Sequence, residues 1–328
     1  MRTLALALAL ALVLSVAATS WAGDDMIRVL ILDGAFTNVP EKGEKLTRIE
    51  RVDGNLLLDG IKYLGKIAVY KGSNGLYIVD EVPFERYVEA VVNSEAGLDW
   101  DLDALKAQAV IARTYALNQK MKEGNAAYDI TSSVLHQLYK VDNADATVER
   151  AVRETEGEIL TYDGAPIMAL YHSTSEGMTE AVEDVFGKSY PYLKPVVSTS
   201  SLSPLKVWVR RIPLDEISLM TGVKGINDIR TVSRTSTGRV KALELCTEGG
   251  NKVFETKDLR RLFGWKRLPS TDFTYKIDGN TCIFEGKGWG HGVGLCQWCA
   301  EEMAVAGKSY KDILNYYYPG ATLTKYAG

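Results

Sequence analysis

The sequence has few histidines and cysteines and no excess of basic residues. Its 328 residues include only 3 histidines and 4 cysteines, and 42 acidic residues outnumber 38 basic ones, for a formal charge of −4. This mild acidity argues against nucleic acid or an anionic membrane as a partner, because both need a basic patch. Beyond the first residues no apolar run is long enough to cross a membrane, and no internal repeat or Pro/Ser-rich linker is visible. An apolar content of 46% instead predicts a globular chain.

The amino terminus carries the pattern of an export signal. Met1-Arg2 is followed by an uncharged run over 4–18 and by Ser20-Trp21-Ala22, a small-x-small sequence. A positive start, a short apolar run and a small-residue cleavage site are typical of a secretory signal peptide, here over 1–22, with an uncleaved membrane anchor as the alternative. No cysteine follows the run, so a lipid anchor is not indicated. We therefore expect an exported protein, either periplasmic or extracellular.

The four cysteines lie in the last third of the chain. An even number of cysteines in an exported protein favours disulfides. Cys246 and Cys282 flank strand-like runs, which predicts a bridge between neighbouring strands. Cys296 and Cys299 form a C-x-x-C at the start of a predicted helix. This pair is compatible with a disulfide, two buried thiols, a redox-active pair or, together with His291, a zinc site that lacks an evident fourth ligand.

Strand and helix patterns do not alternate regularly along the chain. This predicts an α+β fold with mixed or antiparallel sheets and packed helices rather than a doubly wound fold. Pro83 is suited to the first turn of a helix that should end near Glu95, and a third helix should span about 145–154. An Asp163-Gly164 turn predicts a hairpin, and Ser309 predicts the cap of the last helix.

Two stretches stand out from this background. Residues 288–298 read Gly-Trp-Gly-His-Gly-Val-Gly-Leu-Cys-Gln-Trp. Because glycine costs backbone entropy and packs no side chain, this spacing predicts a backbone that something approaches closely, with a glycine-rich turn as the alternative. Residues 93–100 read Asn-Ser-Glu-Ala-Gly-Leu-Asp-Trp, and residues 105–115 read Leu-Lys-Ala-Gln-Ala-Val-Ile-Ala-Arg-Thr-Tyr.

Together these motifs resemble the SpoIID family, named for stage II sporulation protein D, which includes the LytB-type amidase enhancers. The resemblance runs from roughly Ile27 to Tyr318. Further motifs match in the same order between the two ends: Gly157–Tyr162, Tyr171–Ser175, Thr179-Glu180, Glu183–Val185 and Pro191–Lys194. Several motifs in one order are far more specific than a single glycine pattern.

The resemblance implies a SpoIID-like domain over 23–328, with a β-rich amino-terminal part (23–80) and a catalytic core (81–328). It also implies an exported lytic transglycosylase of peptidoglycan. We expect neither a cofactor nor a metal ion. Such an enzyme cleaves the MurNAc-GlcNAc bond, leaves a 1,6-anhydro product and favours glycan strands stripped of stem peptides. The alternative is a non-catalytic protein that binds glycan and enhances an N-acetylmuramoyl-L-alanine amidase.

Glu95 is the candidate catalytic residue. A carboxylate near a helix C-terminus meets the negative end of the helix dipole, and burial under Trp100 would favour the protonated form further. Cleavage of a glycosidic bond needs a protonated carboxylic acid beside the leaving oxygen. The residues alone are equally compatible with a solvated surface glutamate. The resemblance implies the catalytic role, because the matching glutamate is catalytic in family members that cleave peptidoglycan.

Other polar side chains in the matching motifs are candidates for contact with the sugars. Alternatives remain open for them: a capped turn at Tyr171–Ser175, a structural role for His291, and an ordinary salt bridge for Arg113. A thiol hydrolase that uses Cys296 and His291 is a third alternative. The sequence departs from the family at Glu176, at Cys296 and Cys299, and beside His136, where some members carry a metal-associated cysteine. The candidates are Arg113, Tyr171, His172, Ser173, Ser175, His291 and Gln297.

Overall fold

A computed structural model describes residues 25–32, 38–41, 44–53, 56–58, 61–63, 65–97, 99–123, 127–133, 136–140 and 145–326. The predicted signal peptide over 1–22 lies outside these residues. Among the helices that are described, none combines the length and the apolar character needed to cross a membrane. Helices pack against mixed and antiparallel sheets, which confirms the predicted α+β fold.

The helices and strands have the following bounds. The helices are α1 Phe84–Glu95, α2 Leu102–Glu123, α3 Ala146–Glu154, α4 Val182–Phe186, α5 Leu214–Thr221, α6 Thr256–Phe263, α7 Gln297–Val305 and α8 Tyr310–Tyr317. The strands are β1 Met26–Leu30, β2 Thr47–Asp53, β3 Leu56–Leu58, β4 Ile61–Tyr63, β5 Lys66–Gly72, β6 Gly75–Pro83, β7 Ile130–Thr131, β8 Glu158–Tyr162, β9 Ala165–Pro166, β10 Tyr171–His172, β11 Gly177–Met178, β12 Val197–Ser198, β13 Val207–Pro213, β14 Ile226–Arg234, β15 Val240–Thr247, β16 Lys252–Glu255, β17 Phe273–Asp278, β18 Thr281–Lys287, β19 Leu295–Cys296 and β20 Thr322–Lys325.

The amino-terminal strands form a five-stranded sheet in the order β2-β5-β6-β1-β7. The pairs are antiparallel except for β1 and β7, which run parallel. One face of this sheet packs on α1, and its side chains join those of the helices in one main core. The boundary predicted at residue 80 therefore falls inside a shared core, within strand β6.

Helix α2 lies at the centre of this main core. Its small buried side chains, Ala104, Ala107, Ala109, Ala112 and Ala116, let neighbouring helices approach closely. Helices α1, α3, α7 and α8 all contact it. This arrangement brings the end of α1 and the start of α7, which are 202 residues apart in sequence at their contact, to the same place.

Residues 207–287 build a second core of their own. Two three-stranded antiparallel sheets, β13-β18-β17 and β14-β15-β16, pack with α5 and α6 around buried apolar side chains such as Ile217, Leu243 and Phe284. Cys246 lies on β15 and Cys282 on β18, in different sheets, and both are buried free thiols. The predicted bridge between them is therefore wrong, because the two strands are not neighbours.

Candidate active site

Glu95 is the last residue of α1 and is partly buried. Ala96 is extended (φ −96°, ψ 162°), so the helix ends there and the carboxyl group lies at the negative end of its dipole. Burial raises the pKa of the Glu95 carboxyl group above its ordinary value, and hydrogen bonds from Leu138, Tyr171 and Gln297 oppose the rise. The carboxyl group is thus shifted toward the protonated form that a general acid requires.

Two donors hold the same oxygen of this carboxyl group. The main-chain N–H of Leu138 donates to Glu95 Oε1 at 2.8 Å, and the Tyr171 hydroxyl donates to it at 3.2 Å. Since Oε1 already accepts two hydrogen bonds, an acidic proton belongs on Oε2. The two donors therefore orient the carboxyl group without occupying its proton-carrying oxygen.

The segment that supplies Leu138 is fixed along the end of α1. The main-chain N–H of Lys140 donates to Ser94 Oγ at 3.1 Å, and Ser94 Oγ lies 3.4 Å from the Lys140 carbonyl oxygen. Tyr139, between them, is buried and its hydroxyl donates to Asp80 Oδ2 at 2.8 Å. The Tyr139 side chain thus anchors the segment to the interior, and the contacts with Ser94 hold it along α1. Together they keep the Leu138 N–H directed at Glu95.

Tyr171 is positioned by a short parallel strand pair. Strand β10 pairs with β19, with Tyr171 opposite Leu295 and His172 opposite Cys296. This pairing places the end of the glycine-rich stretch directly beside Tyr171. The motif at 171–175 and the motif at 288–298, which are distant in sequence, thus form one structural unit next to Glu95.

The four alternating glycines approach this chain's own backbone. Gly288, Gly290, Gly292 and Gly294 all have positive φ, from 68° to 112°. A Cβ on Gly294 would lie 1.9 Å from the Leu170 carbonyl oxygen, and one on Gly288 would lie 2.5 Å from that of Thr174. The predicted close approach is therefore internal, since the loop must pack against residues 170–175.

Gln297 and Trp298 connect the start of α7 to the Glu95 loop. Gln297 Nε2 lies 3.5 Å from the Glu95 carbonyl oxygen and 3.5 Å from Gln108 Oε1. The Trp298 ring meets the Trp100 ring edge-on, with centroids 5.1 Å apart. Trp100 in turn covers Gly97, where a Cβ would lie 2.2 Å from the indole Nε1. Trp298 is partly buried against the main core.

The two histidines of the motifs lie side by side, with ring centroids 5.8 Å apart. His291 is partly exposed, accepts a hydrogen bond from the Val293 N–H at 3.0 Å and packs edge-on against Phe186. Burial, and then the positive charge of Arg260, lower the pKa of His291 to about 3. His291 is therefore a neutral imidazole at physiological pH and can exchange only neutral hydrogen bonds with a ligand.

His172 and Ser175 face inward, whereas Ser173 is partly exposed. His172 Nε2 lies 2.5 Å from Ser175 Oγ, and its Nδ1 lies 3.2 Å from the Val293 carbonyl oxygen. Burial lowers the pKa of His172 well below its ordinary value. His172 and Ser175 thus hold the strand end together from inside, and of the predicted 171–175 contacts Tyr171 and Ser173 are the ones with exposed surface.

Arg113 lies inside the protein. Its side chain has 0% exposure, its Nε and Nη2 each donate to a different Glu85 carboxylate oxygen at 2.7 Å, and its Nη1 donates to the Glu158 carbonyl oxygen at 2.9 Å. A guanidinium with no exposed surface cannot contact a sugar. The predicted substrate contact of Arg113 is therefore wrong, and a buried ion pair takes its place.

Cys296 and Cys299 form a disulfide at the first turn of α7. Cys296 is the N-cap residue, and its Sγ accepts hydrogen bonds from the N–H groups of Cys299 and Ser175, both at 3.3 Å. The disulfide therefore closes the first turn of α7, and the hydrogen bond from Ser175 ties this turn to the segment that follows β10. In the part of the chain that the structure describes, no group of three or more His, Cys, Asp or Glu side chains could hold a metal ion.

The sequence did not single out two residues that support Glu95. Leu138 acts through its main chain, so its side chain carries no signal. Gln108 is 2% exposed and lies in the Lys-Ala-Gln-Ala-Val motif, where a polar residue on the buried face of α2 is the available signal. Its Nε2 has no hydrogen-bond partner among the described residues.

Comparison with known proteins gives two family matches. The family described as "Stage II sporulation protein" (SpoIID) matches residues 72–162, which contain Glu95 and helix α2. A domain of unknown function, DUF8618, matches residues 197–294, which contain the second core.

Three curated proteins are similar along most of this chain. Stage II sporulation protein D of Bacillus subtilis is 33% identical over 279 residues, which cover 79% of this chain and 79% of that protein. An uncharacterized protein of Brachyspira hyodysenteriae is 33% identical over 289 residues, covering 84% of this chain and 76% of that protein. The amidase enhancer of Bacillus subtilis is 31% identical over 291 residues, covering 73% of this chain and 40% of that protein.

Proposed function

This chain belongs to the SpoIID family, and from that premise we propose that it is an exported peptidoglycan lytic transglycosylase with Glu95 as its acid and base. Its substrate is the glycan strand, cut at the MurNAc-GlcNAc bond, and its product carries a 1,6-anhydro end. The observation that carries the proposal is the state of Glu95. This carboxyl group has a raised pKa, accepts hydrogen bonds at Oε1 from Leu138 and Tyr171, and remains partly exposed.

The reaction needs only one carboxyl group. Protonated Glu95 gives its Oε2 proton to the glycosidic oxygen as the bond from that oxygen to the anomeric carbon of MurNAc breaks, which frees the GlcNAc hydroxyl. The 6-hydroxyl of the same MurNAc then bonds to the anomeric carbon and returns its proton to the Glu95 carboxylate. No water enters, so the paired carboxylates that hydrolases use are not required.

The residues around Glu95 support both halves of this cycle. In the first half the carboxylate gains negative charge, and the donors Leu138 N–H and Tyr171 hydroxyl stabilise that charge. In the second half the carboxylate takes up a proton again, which its burial favours. We assign the contacts with the sugars to Tyr171, Ser173 and His291, whose side chains keep exposed surface. Gln297 is only 5% exposed, so we assign it to support of the Glu95 loop instead.

A non-catalytic role is the second candidate function. The similarity to the amidase enhancer favours a protein that binds glycan and stimulates an N-acetylmuramoyl-L-alanine amidase. The same exposed groups would then bind the strand without proton transfer. Export, which both functions require, is the expectation from residues 1–22.

Substitution of Glu95 by Gln tests which function applies. Glutamine keeps the size and accepts the hydrogen bond from Leu138, but it cannot donate an acidic proton. We expect Glu95→Gln to abolish cleavage of purified glycan strands while strand binding persists. Strand cleavage by the variant at the wild-type rate would overturn the catalytic assignment. Stimulation of an amidase by both proteins, with cleavage by neither, would establish the enhancer instead.

A further inference from the structure

The His291 loop, residues 290–292, lies where the two cores meet. It follows the second core, whose last strand ends at residue 287, and it precedes Val293, which is buried in the main core. Two arginines of the second core, Arg239 and Arg260, lie close to this loop, and they are only 3% and 5% exposed. Side chains buried to this degree have almost no surface to offer a bound sugar.

Arg260, on helix α6, holds one end of the loop through a main-chain carbonyl group. Its Nη2 donates to the Pro269 carbonyl oxygen at 2.6 Å, and its Nε donates to that of Leu268 at 2.8 Å. The Gly290 N–H donates to the same Pro269 carbonyl oxygen at 2.9 Å. Arg260 therefore fixes the acceptor that the first residue of the His291 loop uses.

Arg239 holds the other end of the loop by direct packing. A Cβ on Gly292 would lie 2.9 Å from Arg239 Cζ, so the guanidinium lies against the Gly292 main chain. Glu180 completes the contact, because its N–H donates to the Gly292 carbonyl oxygen at 2.7 Å and its Oε2 lies 3.6 Å from Arg239 Nε. Arg239 Nη2 also donates to the Met178 carbonyl oxygen at 3.0 Å. The last residue of the loop is thus enclosed by Arg239 and Glu180.

The burial of two like charges beside the loop supports a role there. In the part of the chain that the structure describes, Arg260 forms no ion pair. Burial, and then the charge of Arg239, lower the pKa of Arg260 to about 10, so it stays charged at neutral pH. Such costly arrangements concentrate at functional sites. Further titratable groups beside Arg239 and His291 are His172, Glu180 and Asp272.

From these contacts we infer that Arg239 and Arg260 are positioning residues, which hold the His291 loop against the second core and so present His291 to the glycan strand. The inference rests on the proposed function in that the strand is the ligand of His291. Neither arginine touches a sugar, and each acts through the loop. The second core, which matches a domain of unknown function, thereby gains a task at the site.

The first test measures strand binding in a background that does not cleave. Glu95→Gln is the parent protein, and Arg239→Gln and Arg260→Gln are each added to it. We expect each addition to weaken the binding of purified glycan strands about tenfold, which is the effect of losing one hydrogen bond. Arg210→Gln is the matched control, because Arg210 Nε also donates to a main-chain carbonyl oxygen of the second core, that of Lys266. It should leave the dissociation constant unchanged.

The second test observes the loop without any ligand. The chain has 3 histidines, so NMR can follow the protonation of the His291 ring, and His291→Gln identifies its signal. In the parent this ring should stay neutral at about pH 5.5. In both arginine variants it should be measurably protonated there, because a ring released from burial and from these charges returns toward its ordinary pKa of 6.5. Arginines that only stabilised the fold would lower the melting temperature and leave His291 neutral.

The two measurements separate this inference from the proposed function. Binding or His291 protonation that is the same in the parent and in both arginine variants would overturn the inference, and if one variant fails to fold, the other carries both measurements. If the parent binds no strand, the proposed function fails, while the protonation of His291 still decides whether the arginines position the loop.

Discussion

Substitution of Tyr171 by Phe should change the pH dependence of the reaction. The Tyr171 hydroxyl donates to Glu95 Oε1 at 3.2 Å and so stabilises the carboxylate relative to the carboxylic acid. Loss of this donor leaves burial as the stronger influence on the carboxyl group. The pKa of Glu95 should therefore rise above its wild-type value, because one of the groups that lowers it is gone.

The size of the effect follows from the geometry of the bond. A hydrogen bond to a charged group contributes about 1.5–3 kcal/mol, and this bond is long and lies at a partly exposed carboxyl group, so we expect about 1 kcal/mol. This energy corresponds to a pKa increase of about 0.7 unit. The same donor stabilises the carboxylate that forms during bond cleavage, so kcat should fall about fivefold.

The assay is kcat/KM for strand cleavage as a function of pH. Activity falls on the alkaline side as Glu95 loses its proton in the free enzyme, and Tyr171→Phe should move that midpoint upward. Tyr310→Phe is a matched control. The Tyr310 hydroxyl also donates to a glutamate, Glu158 Oε2 at 3.1 Å, but this glutamate is not Glu95. An unchanged midpoint, or a shift to lower pH, in Tyr171→Phe would refute this account of the Glu95 pKa.

Two further predictions concern stability. Burial raises the pKa of Asp80 from 3.8 to about 6. As the pH rises, the Asp80 carboxyl group therefore loses its proton in the unfolded chain before it does so in the folded protein. The free energy of unfolding should fall by about 3 kcal/mol between about pH 4 and about pH 6. The stability advantage of Asp80→Asn over wild type in urea unfolding should grow by that amount across this range, and a difference independent of pH would contradict it. Gly294→Ala should destabilise by about 1–3 kcal/mol more than Gly222→Ala, because both have φ of +72° but only Gly294 faces a carbonyl oxygen, that of Leu170. Equal melting temperatures of the two variants would argue against a tight loop.

Local signals in the sequence located several elements well. The helix predicted to end near Glu95 ends at that residue, and Ser309 caps α8 as predicted, in a capping box with Asp312. The Asp163-Gly164 turn joins β8 to β9, with φ of 50° and 77° at the two residues. Each of these features depends on residues within a few positions of one another, where turn and cap chemistry acts.

Long-range relations were outside the reach of such signals. The donor to Glu95 from Leu138 comes from a main chain 43 residues away, and any residue type other than proline could supply it. The glycine motif predicted a close approach but not that residues 170–175 are what approaches. The sequence does not reveal that Arg113 belongs to a buried ion pair, because its partner, Glu85, lies on another helix and nothing local indicates that the pair is buried.

The fate of water in the products tests the central claim most directly. Purified glycan strands are digested by wild-type protein and by Glu95→Gln in water enriched in the heavy oxygen isotope, and the products are analysed by mass spectrometry. The account predicts anhydro-ended fragments without the heavy isotope from wild type, and no fragments from Glu95→Gln. Reducing ends that carry the heavy isotope would contradict it, because they would show that water, and not the 6-hydroxyl of the sugar, attacks the anomeric carbon.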